Sequence, residues 1–198
     1  MTNWPFGDLK PHHYRTLLID CPWDFKGGKN GRPQHYKRMT DRELMALPIR
    51  DLCHPDGCHI FFWLTSPMAE RAYDIAKQWH VRRSGRAFLW IKTHKRWSRG
   101  EQSPLFLAPD AFHISTGYTT RKNAEDCDLF TVGKPKRQAK NIRELIFAPP
   151  REHSRKPEEA RRRIERYSLG PRAELFARER AEGWDAWGNE TDRFREAA

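Results

Sequence analysis

The stretch Thr16-Leu17-Leu18-Ile19-Asp20-Cys21-Pro22-Trp23 decides how this chain folds. Its first four residues are apolar or β-branched and make a short strand. The strand must end where proline follows, because Pro22 has no N–H to give to a ladder and biases Cys21 toward an extended conformation. Open α/β sheets bind ligands beyond the carboxyl ends of their strands, so Asp20, Cys21, Pro22 and Trp23 are expected at such a crevice. A carboxylate there can accept one N–H of a planar exocyclic amine and a backbone carbonyl a second, while an indole stacks on the ring. The same residues also describe a strand entering an ordinary X-Pro turn over a buried tryptophan. The rest of the chain has to separate the two.

Working outward, strands and helices alternate, which predicts an α/β domain with a mostly parallel sheet. Thr40-Asp41-Arg42-Glu43 has capping-box spacing, and Leu44, Leu47 and Pro48 complete a short helix. Cys58 to Leu64 reads as a continuous apolar strand. Ser66-Pro67 reads as an N-cap and first helical residue, with Met68, Ala72, Ile75, Ala76 and Trp79 on one face. Arg86 to Lys92 is the next strand. Thr93 to Ala124 shows no sustained period, and its Lys95, Arg96, Trp97, Arg99, Arg121 and Lys122 mix cations with an aromatic, a combination suited to phosphates and bases. Asp126 to Val132 and Arg143 to Ala148 read as a hairpin joined by the basic linker Gly133 to Asn141. Pro157-Glu158-Glu159 opens a helix with acids in its first turn. Ala160, Ile164 and Tyr167 form its inward face, and Arg161, Arg162 and Arg163 are expected to point outward. Leu169-Gly170-Pro171 is a turn before a short strand, Ala173 to Ala177.

The chain has 198 residues, enough for one domain over residues 1–198. With 37 Lys and Arg against 26 Asp and Glu, its formal charge of +11 favours a polyanionic partner, nucleic acid above all. Between Lys134 and Arg166 stand 12 basic and 5 acidic residues, so about a sixth of the chain carries +7 of the total. Met1 to Pro11 has no apolar stretch of signal-peptide or membrane-span length, which predicts a cytoplasmic protein with no membrane partner. Cys21, Cys53, Cys58 and Cys127 read as reduced thiols. Cys53-His54 and Cys58-His59 could offer zinc ligands, but neighbouring residues of a strand point to opposite faces, so no metal site is expected and His59 reads as a surface histidine. No glycine-rich G-x-G loop occurs, which argues against a nucleotide hydrolase or a nicotinamide enzyme.

Further blocks stand in a fixed order after the first: His35-Tyr36 and Met39; Phe61-Phe62-Trp63; Trp90-Ile91-Lys92-Thr93; Gly117-Tyr118 with Glu125 ahead of a strand; His153-Ser154-Arg155-Lys156-Pro157; Glu174-Leu175-Phe176-Ala177-Arg178; and Gly183-Trp184-Asp185-Ala186-Trp187-Gly188-Asn189-Glu190. With Asp20-Cys21-Pro22-Trp23, this order over about residues 14–190 resembles the MT-A type family of adenine-N6 methyltransferases, relatives of the catalytic subunit that makes N6-methyladenosine in eukaryotic mRNA. The family usually has proline where this chain has Cys21.

The resemblance implies a Rossmann-like methyltransferase fold in which the target-amine motif precedes the cofactor motif, and it implies S-adenosylmethionine as the cofactor. It assigns catalysis to Asp20, Cys21, Pro22 and Trp23, with Trp23 holding the base plane. Substrate contacts fall to Tyr36, Glu125 and Lys156. Cofactor contacts fall to Asp20, Lys156, Arg178, Asn189 and Glu190, and Asp8 or Leu9 would grip the cofactor's adenine. The implied activity is N6-adenine methylation of DNA, in a bacterial or phage-encoded setting. RNA methylation, methylation of the cytosine amino group, and a silent nucleic-acid-binding partner of the same fold are the alternatives. DNA is preferred because no zinc module, RNA-recognition motif or appended partner segment is visible. The oligomeric state is not legible.

Overall fold

The structure is a computed structural model that describes residues 4–24, 38–95, 112–115, 120–152 and 155–192. Expectations placed on His35, Tyr36, Arg96, Trp97, Arg99, Gly117, Tyr118, His153 and Ser154 lie outside these residues.

Seven strands form one sheet: β1 (Thr16–Ile19), β2 (Gly57–Leu64), β3 (Arg82–Lys92), β4 (Ala124–Gly133), β5 (Leu145–Ala148), β6 (Arg172–Leu175) and β7 (Asp185–Trp187). Their order is β5-β3-β4-β2-β1-β6-β7. All pairings are parallel except those of β4, which runs antiparallel to both β2 and β3. The mostly parallel α/β sheet is therefore present. β1 has β2 on one side and β6 on the other, so connections leave it in opposite directions and open a crevice at its carboxyl end.

Period-two alternation divides the core between the two faces of the sheet. Leu17 and Ile19 of β1 join Ile60, Phe62 and Leu64 of β2 in one buried cluster, covered by Ala72, Ile75 and Ala76 of α3 (Ala69–Gln78). Leu18, Phe61 and Trp63 point the other way, with Phe88, Trp90 and Ile146, and are covered by Ala160 and Ile164 of α4 (Glu158–Tyr167). All eight residues of β2 are buried, as befits a strand enclosed on both faces. Ahead of it, α1 (Asp41–Met45) begins with a complete capping box: the Thr40 side chain accepts from the Glu43 N–H while the Glu43 carboxylate accepts from the Thr40 N–H at 2.7 Å. A further short helix, α2 (Ile49–Leu52), follows Pro48.

Several expectations are corrected. β4 and β5 are not a hairpin, because β5 crosses over to pair in parallel with β3, for example Trp90 with Ile146. β3 begins at Arg82 rather than Arg86, and Glu125 lies within β4 rather than before it. Ser66 opens a 3-10 turn, Ser66–Met68, whose N-cap is Thr65, and α3 follows at Ala69. His59 is not on the surface: it is 3% exposed, and its Nδ1 lies 2.8 Å from the Ser168 hydroxyl. Burial pushes its pKa down to about 4, so it is neutral at neutral pH. Cys58 packs in the core on the opposite face of β2, so the two residues diverge. All four cysteines are free and buried.

Candidate active site

Asp20 follows β1 directly, and the parallel β6 ends beside it in the turn Phe176-Ala177-Arg178. Because β4 is antiparallel, its first residues, including Glu125, reach the same edge of the sheet, and so does Lys92 at the end of β3. Lys156 stands just before α4, whose N-cap is Pro157. One edge thus collects charged side chains from four strands and one helix start.

They form an alternating chain. The Lys92 ammonium lies 2.5 Å from Glu125, the Glu125 carboxylate is 3.3 Å from Lys156, and Lys156 donates to Asp20 Oδ2 at 2.9 Å. Lys156 also sits 5.5 Å from the centre of the Trp63 ring. Burial alone would push the Lys156 pKa down, but the carboxylates of Asp20 and Glu125 outweigh it and hold the ammonium well above its usual range. Burial likewise opposes ionisation of Glu125, and the two lysines beside it reverse that, leaving its pKa lowered. Lys156 therefore carries its charge beside Asp20 at any neutral pH.

A second network closes the crevice. Arg161 donates to Glu174 at 2.8 Å and approaches Glu179 at 3.4 Å, while Arg155 pairs with Glu179. Glu174 lies in β6, where burial pushes its carboxyl pKa up against the opposing pull of Arg161. This corrects the outward placement of the three arginines. Arg161 is 17% exposed and faces the crevice. Arg163 donates to the Arg143 and Leu145 carbonyls at 2.7 Å each and ties α4 to β5. Only Arg162, at 68%, is a solvated side chain.

The tetrapeptide is arranged in a less open way than expected. The Cys21 carbonyl accepts from the Trp23 N–H at 3.0 Å, and the Pro22 carbonyl accepts from the Met39 N–H at 3.0 Å. A carbonyl has two lone pairs, so Cys21 keeps one acceptor site. The Cys21 thiol is buried, which pushes its pKa well up and leaves it neither a thiolate nor a ready metal ligand. Trp23 is 3% exposed, stacked on Phe62 at 6.0 Å and approached by the Arg71 guanidinium at 5.9 Å. Its indole belongs to the core on the α3 face and offers no open platform for a base, a correction with a plain cause: apolar partners enclose it. Arg71 holds this corner by donating to both Asp41 oxygens, at 3.0 and 2.8 Å, and to the Asp24 carbonyl at 3.2 Å.

Of the other expected residues, Arg178 lines the crevice with Asp20 and Lys156. Asn189 and Glu190 follow β7, where Gly188 packs so closely on the neighbouring chain that a Cβ there would stand 2.9 Å from the Ala177 N and O. That contact brings the Asn189-Glu190 pair alongside the Arg178 turn. Leu9 is buried in the core and Asp8 is exposed, and neither stands among the residues that line the crevice. Lys92, Arg161 and Glu174 were not assigned a role in the site; Lys92 and Glu174 stand in the motif blocks, and Glu174 is an acid between the apolar Ala173 and Leu175.

The donor set fits a zwitterionic, hydroxyl-bearing cofactor such as S-adenosylmethionine. Among the lining residues, cations (Lys156, Arg178) can meet a carboxylate and acids (Asp20, Glu174) an amine, while Asn189 and Glu190, which follow Gly188 beside the Arg178 turn, have the groups to bond a diol. Moreover, Trp63 Nε1 and Arg161 Nε are buried without an acceptor among the described residues, so the crevice walls present unsatisfied donors. The space now between these walls is about 30 Å³, roughly room for one water. A nucleoside-sized ligand must displace side chains that fill it, and Arg155, Arg161 and Glu179 are among those that line it.

Comparison with known proteins agrees with this architecture. The MT-A70 family model matches residues 14–190. A type II methyltransferase, M.MunI from Mycoplasma sp, is 25% identical over 93% of this chain and 81% of its own length. An N(6)-adenosine-methyltransferase MT-A70-like protein of Arabidopsis thaliana is 29% identical over 92% of this chain but only 24% of its own length. The human N(6)-adenosine-methyltransferase catalytic subunit METTL3 is 27% identical over 90% of this chain and 28% of its own. The chain thus spans most of the bacterial relative and about a quarter of the eukaryotic ones. No helix among the described residues is long and apolar enough to cross a membrane. With the match covering nearly its whole length, the chain belongs to the MT-A70 family of methyltransferases.

Proposed function

We propose that this protein transfers a methyl group from S-adenosylmethionine to the N6 amino group of adenine in nucleic acid, with DNA as the substrate. The observation that carries the reading is the Asp20 carboxylate, held at 2.9 Å by the charged Lys156 at the carboxyl end of β1, next to a carbonyl with a free lone pair. The cofactor, when bound, supplies a methyl group on a good leaving group. The protein's task is then to align the amine and free its lone pair. An adenine amine is a poor nucleophile because that lone pair is delocalised into the ring. Asp20 and the Cys21 carbonyl, each accepting one N–H, favour a pyramidal nitrogen. Lys156 fixes the carboxylate so that it need not reorganise as charge develops. Once methylated, the amine nitrogen would hold an acidic proton, which Asp20 would accept along the hydrogen bond it already makes. Trp23 contributes by holding the tetrapeptide rigid from within the core.

The likeness to a type II methyltransferase, matched over 93% of this chain and 81% of its own length, supports DNA as the substrate. A base inside a duplex has to be extruded at a cost of about a few kcal/mol, so single strands should react faster than duplex. Nucleoside mass spectrometry after incubation with labelled donor tests this. N6-methyladenine is expected in DNA, more of it in single strands than in duplex. Label appearing in RNA and in neither form of DNA would move the assignment to RNA, and label on cytosine would contradict the adenine reading.

A further inference from the structure

At the other end of the sheet lies a larger cavity, about 290 Å³, where β1 and β2 begin and β4 ends. Arg15 stands before β1, five residues from Asp20, so at about 3.3 Å per residue the two sites lie roughly 16 Å apart along the strand. Lys134 and Lys136 line this cavity, and among the described residues neither ammonium has an ion pair or hydrogen-bond partner. Arg15 lines it too, partnered by Asp56 at 2.7 Å. The floor holds the deeply buried His59 and Ser168, neutral groups that accept or donate hydrogen bonds. Counting Asp56 against the three cations, the lining is net positive.

The two lysines are held by a backbone clamped on both sides. Gly57, at φ 131°, approaches the linker so closely that a Cβ would stand 2.8 Å from the Pro135 nitrogen. On the far side Arg137 bridges Ser168, and the Gln138 N–H donates to the Tyr167 carbonyl at 2.8 Å. Glycine at residue 57 is required twice over, by its positive φ and by this contact. A linker fixed so that two unpaired cations rim a polar-floored cavity is arranged for an anion.

We infer that this cavity binds a phosphoryl anion, either a backbone phosphate of the nucleic acid or the phosphate of a free nucleotide. The first source rests on the function proposed above, since it would grip the strand away from the target base; the second does not.

The test compares wild-type protein with the Lys134→Ala, Lys136→Ala double variant, in which both substitutions are at solvent-facing ends outside the catalytic crevice. Titrations use a labelled single-stranded DNA 12-mer over a range of salt, and separately inorganic pyrophosphate followed by calorimetry. For a backbone phosphate, the variant binds the 12-mer about tenfold more weakly and the salt slope falls by about 1.4, that is 0.7 for each lost contact. For a free nucleotide, 12-mer binding is unchanged while saturable pyrophosphate binding is present in wild type and lost in the variant. Equal 12-mer affinity and slope in both proteins, with no saturable pyrophosphate binding to either, would overturn the inference. A protein that binds no DNA but loses pyrophosphate in the variant would count against the proposed substrate and not against this site.

Discussion

Replacing Asp20 by alanine is expected to reduce methyl transfer by more than about a hundredfold, the scale on which loss of one preorganised hydrogen-bonding group acts, while the protein stays folded. The reasoning rests on where the charges go. Lys156 is nearly buried, and removing its only partner would strand a cation at a large cost. Here it keeps Glu125 at 3.3 Å, so the deletion removes the acceptor without orphaning the ammonium. Asp20→Asn separates acceptor from charge, because the amide oxygen still accepts an N–H but no longer attracts Lys156, and it should fall between wild type and alanine. Turnover with single-stranded DNA, alongside a urea unfolding curve, reads both effects. An alanine variant that keeps more than a tenth of wild-type turnover would remove Asp20 from the reaction.

Trp23→Ala should instead show its main effect in stability, a loss of about 3–5 kcal/mol as expected for deleting a buried tryptophan. The indole is enclosed by Phe62 and the α3 face, and Arg71 seals it from the other side through its pair with Asp41. Loss of that packing frees the segment that carries the Cys21 carbonyl, so turnover falls with stability. Had the ring been an open stacking surface, the variant would keep its unfolding midpoint and lose only affinity for the target base. A shift of less than about 1 kcal/mol in urea, with base binding weakened, would restore that role.

These two residues also show what was legible in the chain. The strand before Asp20, the capping box at Thr40 and the amphipathic faces of α3 and α4 could be read because local pattern determines them: short continuous apolar runs in β1 and β2, and recurrence every three to four residues at Ala72, Ile75, Ala76 and at Ala160, Ile164. Pairing between distant segments could not. Arg143 to Ala148 follows β4 by a short basic linker, which looks like a hairpin, yet its partner is β3 and its direction is parallel. Lys92 became visible as a site residue only once the antiparallel register set Trp90 opposite Glu125. Arg161 stood in a run of three arginines that reads as a solvated face, and only the position of Glu174 on β6 turns it inward. The motif order located the crevice at Asp20, Lys156 and Arg178; the carboxylate and lysine partners that charge it came from three-dimensional neighbours.

The most direct test of the account is a calorimetric titration of S-adenosylmethionine into wild-type protein and into Lys156→Ala. The account predicts saturable binding near one donor per chain in wild type, at least tenfold weaker in the variant, a difference of about 1.4 kcal/mol or more. No binding to the wild-type protein would contradict it.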